Sequence, residues 1–157
     1  MFREMRLTKQ QLSDEETRTI LEKGGTGTLA LLGDEGYPYS VPINYMYEDG
    51  CIYFHSAKNG HKVDAIARES KASMSVIAKD VLMPEKYTTD YCSVIVFGNI
   101  TQIADGEKKR RKIYSFTKKF CSEYENGIDA EIDGAWDRLH VYELKIEHMT
   151  GKRAMPE

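Results

Sequence analysis

The stretch His55-Ser56-Ala57-Lys58-Asn59-Gly60-His61-Lys62 brings together residue types that suit an anion. An apolar run ends at a hydroxyl residue, a short loop follows, and a helical pattern opens at His61-Lys62. The start of a helix carries unpaired N–H groups and a partial positive charge, and both favour a phosphate or carboxylate. Ser56 adds a hydroxyl donor and Lys62 a full charge in the first turn. A lysine at that end opposes the helix dipole, which a bound anion would offset. Two readings stay open: Lys62 is a phosphate ligand, or it points to solvent as most lysines do.

A second stretch, Tyr39-Ser40-Val41-Pro42-Ile43-Asn44-Tyr45, has a proline inside a good strand pattern. Proline removes one ladder hydrogen bond, so the strand belongs at an edge or bulge. The backbone beside Pro42 is then free for a flat heteroaromatic ring with donors and acceptors on its rim; the alternative is an ordinary edge strand. Other candidates carry less. Lys108-Lys109-Arg110-Arg111-Lys112 reads as the solvated face of an amphipathic helix. The four histidines have no metal spacing, and no metal ligand is assigned. Cys92 lacks an evident activating neighbour. Trp136 is compatible with packing on the fold or with lying near a ligand.

The elements that must position these residues are mostly strands. Ser13-Asp14-Glu15-Glu16 is a capping box, and with Gly24-Gly25 as a stop it predicts a helix over residues 14–23. Strands are predicted over 26–32, 37–47 and 51–55, with Tyr39, Val41, Ile43, Tyr45 and Tyr47 on one face and Asp49-Gly50 as a hairpin turn. These three form an expected meander. A short helix follows over 61–68, then a strand over 73–78, a loop over 79–90 around Pro84, and a long strand over 93–103. Residues 107–124 have helical spacing at Ile113, Phe116 and Phe120, and 125–133 are acidic and unassigned. A sixth strand is predicted over 139–149, with a break near Tyr142–Glu143. Six strands with short helices between them predict a mainly β fold, an antiparallel barrel closed or nearly so. A doubly wound sheet would need a helix after each strand.

Composition bounds the rest. The chain has 157 residues with 22 Lys+Arg and 25 Asp+Glu, a formal charge of −3. That length suits one domain, 1–157, with a substantial core. The acidic balance argues against a nucleic-acid partner. No run reaches the roughly 18 apolar residues of a membrane span, and the first residues do not read as a secretory signal. A cytoplasmic location is expected. Cys51, Cys92 and Cys121 are an odd set without CxxC spacing, which suits neither a disulfide framework nor a zinc site.

Taken in order, Tyr39–Tyr45, Ile52-Tyr53-Phe54-His55-Ser56-Ala57, Gly60-His61-Lys62, Ser93-Val94-Ile95-Val96-Phe97-Gly98 and Met149-Thr150-Gly151-Lys152 resemble the pyridoxamine 5′-phosphate oxidase-like flavoproteins, in particular the nitroimidazole-resistance family. The resemblance implies an FMN-binding split β-barrel and a homodimer with FMN at the subunit interface. It implies that Val41, Pro42, Ile43 and Asn44 line the isoalloxazine ring, and that His55, Ser56 and Ala57 follow the ring and ribityl chain. His61 and Lys62 would hold the phosphate, while Ser93 and Val94 would approach FMN from the other subunit. His55 matches the histidine implicated in activity. The implied function is an oxidoreductase passing electrons from NAD(P)H to a small molecule such as a nitroaromatic. The alternative is a non-catalytic flavin-binding redox or storage module. The Arg-rich sites of pyridoxamine phosphate oxidase itself have no match in this sequence.

Overall fold

A computed structural model describes residues 1–154. The first helix, α1 (Asp14–Lys23), opens on the predicted capping box. The Glu16 N–H donates to Ser13 Oγ at 3.2 Å, and the Ser13 N–H donates to Glu16 Oε2 at 3.0 Å. Three acidic residues in the first turn, Asp14, Glu15 and Glu16, complement the helix dipole. Ser13→Ala is expected to cost about 1 kcal/mol. Thermal unfolding should show it as a fall of about 2–4 °C in Tm.

Seven strands follow: β1 (Thr26–Leu32), β2 (Pro38–Asn44), β3 (Met46–Glu48), β4 (Cys51–Ala57), β5 (Lys71–Met83), β6 (Thr88–Gln102) and β7 (Leu139–Arg153). They form one antiparallel sheet in the order β2-β1-β5-β6-β7-β4-β3. The fold is mainly β with short helices, as expected, but with seven strands instead of six and no ladder between β2 and β3 at its two ends.

The extra strand comes from Tyr45. The single strand expected over 37–47 divides there, β2 pairing with β1 and β3 with β4. The expected meander is therefore broken, and β4 pairs with β3 and β7 instead of β2. Tyr45 is fully buried; its N–H donates to Gly25 O at 2.9 Å and its hydroxyl to Leu21 O at 3.0 Å. Those two bonds take it out of the ladder and turn the chain from one end of the sheet to the other. Burial pushes its phenol pKa up to about 12.

The loop expected over 79–90 is instead the far end of the β5–β6 hairpin, paired from Lys79↔Cys92 to Met83↔Thr88. Pro84 occupies the first position of the 3-10 turn Pro84–Lys86, where its missing N–H costs no ladder bond. β7 runs unbroken through Tyr142, whose ring packs on Phe54 at 5.2 Å. The irregularity lies further on, between Phe97/Gly98 of β6 and His148/Ile146 of β7. Gly98 is required there, because a Cβ would collide with the Lys145 carbonyl oxygen.

Between the strands lie α2 (His61–Arg68), α3 (Glu107–Phe120) and α4 (Ile128–Ala135). α4 begins inside the unassigned acidic stretch and runs two residues past it, with Ile128 and Ile132 buried. The main core fills the barrel interior. A second cluster lies where α3 and α4 cover β4 and β7, uniting Tyr53, Ile113, Phe116, Ile128, Ile132 and Val141. The run 108–112 is not wholly solvated: Lys109 and Lys112 are buried at its heart. Lys112 pairs with Glu48 and lies over the Tyr53 ring at 4.5 Å. Among the described residues no helix is long and apolar enough to cross a membrane, and the three cysteines are free.

Candidate functional site

β4 alternates strictly at its end. Phe54 turns into the barrel and His55 turns outward, edge-on to Phe116 of α3 at 4.9 Å and 85°. Ser56 pairs across the ladder with His140 of β7, and its hydroxyl donates to Ala57 O at 2.7 Å. The chain then turns through Lys58, Asn59 and Gly60 into α2. Gly60 sits at φ 131°, a conformation that L side chains rarely adopt, so glycine suits this entry.

No side chain caps α2. Its first bond runs from the Asp64 N–H to Gly60 O at 3.1 Å, which leaves the N–H groups of the first turn without helical partners. Lys62 stands in that turn half-buried, and no described carboxylate lies within ion-pair distance of it. Burial pushes its ammonium pKa down. His55 is lowered too, by the protein packed around it and then by the charge of Lys62. The end of β4 and the start of α2 therefore present donors and a positive charge at Lys62 that no described carboxylate pairs with; Asp64, the acid of the same turn, forms no ion pair with it.

His61 has a different part. Its ring stacks on Tyr39 of β2 at 4.0 Å and 19°, and Nε2 accepts the Asp34 N–H at 3.3 Å. Arg68, at the other end of α2, donates to Asp34 Oδ1 at 2.6 Å. His61 and Arg68 thus fasten α2 to the β1–β2 turn, which sets the start of α2 beside the edge strand that carries Pro42. On that strand Val41 and Ile43 turn toward the core, while Pro42 and Asn44 are exposed. The edge position expected from Pro42 is the observed one.

Within one chain the structure brings together β2, the end of β4 and the start of α2. Ser93 and Val94 stand apart on β6, with β7 between that strand and β4. Val94 is fully buried in the core. Ser93 faces outward with Ile95 and Phe97, opposite Lys152. Two partners escaped the sequence reading: Tyr39 beneath His61, and Phe116 against His55. Both stood in apolar patterns already assigned to packing, and only the tertiary fold pairs them with histidines.

The pattern of the pyridoxamine 5′-phosphate oxidase family matches residues 13–153, which takes in all of these elements. The chain belongs to that family. Solved structures share the fold across most of their length. A candidate 5-nitroimidazole antibiotic resistance protein from Bacteroides thetaiotaomicron is 20% identical, with a TM-score of 0.76 over 91% of this chain and 86% of its own. An FAD and heme binding protein from Mycobacterium smegmatis is 24% identical, with a TM-score of 0.77 over 94% and 76%. An FAD-binding protein from Mesorhizobium loti is 21% identical, with a TM-score of 0.65 over 92% and 97%. No curated protein matches the chain.

Proposed function

We propose that this family member binds FMN as an oxidoreductase, passing electrons from NAD(P)H to a small molecule such as a nitroaromatic. The observation that carries the reading is Lys62, a half-buried cation without a carboxylate partner in an uncapped helical turn. A terminal phosphate supplies the missing negative charge and accepts the first-turn N–H bonds. The donor set fits that group. The exposed edge of β2 at Pro42 and Asn44 lies where a flat ring can run from α2, and His55 and Ser56 follow its path along β4. The flavin-binding relatives in the same fold support a flavin in general, and the single helix terminus with one lysine favours one phosphate, hence FMN over FAD.

The flavin supplies the redox chemistry when bound, and the chain supplies orientation and charge. His55 has a depressed pKa, so its imidazole is neutral near pH 7 and can accept or donate a proton beside a substrate. Ser93 stands on another face of the same chain, so a cofactor touching both sets needs a second copy. The proposal therefore includes a homodimer with FMN at the subunit interface, in the cytoplasm. The exposed apolar residues Ile77, Ile95 and Phe97 support such a contact.

The visible spectrum of the purified protein tests the cofactor, and chromatography of the released chromophore separates FMN from FAD. Sedimentation of the yellow protein as a monomer with full FMN content would remove the dimer. His55→Ala should retain most FMN, because Ile52 and Phe54 hold the strand from inside, and should slow NAD(P)H-driven turnover by about 10²-fold, a usual share for a positioned acid or base. Unchanged turnover with every acceptor would leave His55 a packing residue against Phe116.

A further inference from the structure

Asp34, in the turn between β1 and β2, holds both ends of α2. Its backbone N–H donates at 3.3 Å to Nε2 of His61, the first residue of the helix, and its Oδ2 lies 3.7 Å from the same nitrogen. Its Oδ1 accepts from Arg68, the last residue of the helix, at 2.6 Å. Arg68 also donates to Leu32 O at 3.4 Å. The hydrogen bond from Arg68 keeps the Asp34 carboxyl below its usual range, so the carboxylate is ionised at neutral pH. The turn itself stands on backbone bonds alone, Gly33 N–H to Tyr37 O at 2.8 Å and Tyr37 N–H to Asp34 O at 3.0 Å. A Cβ on Gly33 would come within 3.3 Å of His61 Nε2, so glycine admits the histidine ring against the turn.

α2 has little else to fix its tilt. Of its 8 residues only Ala65 and Ile66 are buried, and no side chain caps its start. Lys62 and the free first-turn N–H groups lie directly beside His61, so their aim depends on how the helix is seated. We propose that Asp34 is a positioning residue for this anion-binding turn. By clipping His61 and Arg68 to one point it directs the N–H groups and Lys62, and so serves anion binding despite its own negative charge. Charge alone argues the reverse, because an acid near an anion repels it. The guanidinium of Arg68 offsets that repulsion where the two side chains meet. As a surface ion pair the contact contributes little to stability; its value lies in geometry. That the anion is the phosphate of FMN rests on the proposed function, whereas the clip does not.

Two variants of the full-length protein separate geometry from charge, with FMN and riboflavin titrated into each. Asp34→Ala should weaken FMN about threefold, the share of an exposed ion pair. Riboflavin should be unchanged, since the turn keeps its backbone bonds. Asp34→Asn drops the same charge but retains an acceptor for Arg68, so it should bind FMN at least as tightly as the parent. Charge removal alone would tighten FMN equally in both variants. That result, an unaltered FMN affinity in Asp34→Ala, or an equal loss of riboflavin overturns the proposal. Inorganic phosphate, followed through the Lys62 and Val63 amide signals by NMR, repeats the comparison without a flavin. Phosphate binding in the same order by a protein that takes neither flavin sinks the flavin and keeps the clip. Binding of neither phosphate nor flavin sinks both.

Discussion

Lys62→Ala weakens FMN about ten- to a hundredfold and leaves riboflavin untouched. The expectation follows from an ammonium that is half-buried, pushed down in pKa by that burial, and without an acid paired to it. A charge-assisted hydrogen bond to a dianion is worth roughly 1.5–3 kcal/mol, and each 1.4 kcal/mol or so is tenfold in affinity. Riboflavin lacks the phosphate, so it controls for general damage. Fluorescence-quenching titrations of both flavins into wild-type and variant apoprotein measure the contrast. Equal weakening of both, or of neither, removes Lys62 from the phosphate site. The pH dependence has a definite sign. Free Lys62 loses its proton below the ordinary lysine range, whereas a bound phosphate would hold the proton on. FMN affinity should therefore fall as pH rises through the depressed pKa of free Lys62, and riboflavin affinity should not follow.

Lys109→Ala destabilises the fold by about 3 kcal/mol without touching that site. The Lys109 side chain is fully buried, and its ammonium donates to Leu139 O at 3.0 Å, Trp136 O at 3.3 Å and Asp105 Oδ1 at 2.7 Å. It also lies 4.3 Å from the centroid of the Trp136 ring. Asp105 is exposed, so that ion pair contributes little alone. The cost comes from stranding two carbonyls between α4 and β7 and from the void left by the stem. Thermal unfolding should fall by about 6–12 °C. Lys109→Met refills the volume and still strands the carbonyls, so its Tm should lie between the other two. A melting point equal to wild type in both variants would show that water replaces the ammonium.

Local chemistry made some of this fold legible in advance. The Ser13/Glu16 capping box and the Gly24 stop act within a few residues, so α1 has its predicted bounds, and α2 does as well. Pro42 marks an edge strand because a missing N–H has the same effect in any context. What was not legible depended on distant partners. Alternation along 37–47 is unbroken in type, and only Leu21 and Gly25, from elsewhere in the chain, turn Tyr45 out of the ladder. Lys109 and Lys112 have the composition of a solvated helix face. Their burial requires distant partners, Trp136 and Leu139 around Lys109 and Glu48 and Tyr53 around Lys112. The same limit applied to the site: its donors could be read from residues 55–62, whereas the attachment of His61 to Asp34 and Tyr39 could not.

Tyr45 has a consequence for how the protein keeps to itself. An edge strand is a template that can recruit a foreign strand. Here both edge strands, β2 and β3, belong to one short segment with a single anchored residue between them. Neither can peel away to a distance while Tyr45 is clasped by Leu21 and Gly25, so the two exposed rims are tethered at one point. Loosening that clasp would free two sticky edges together, turning a self-limiting molecule into one with a landing strip at each end.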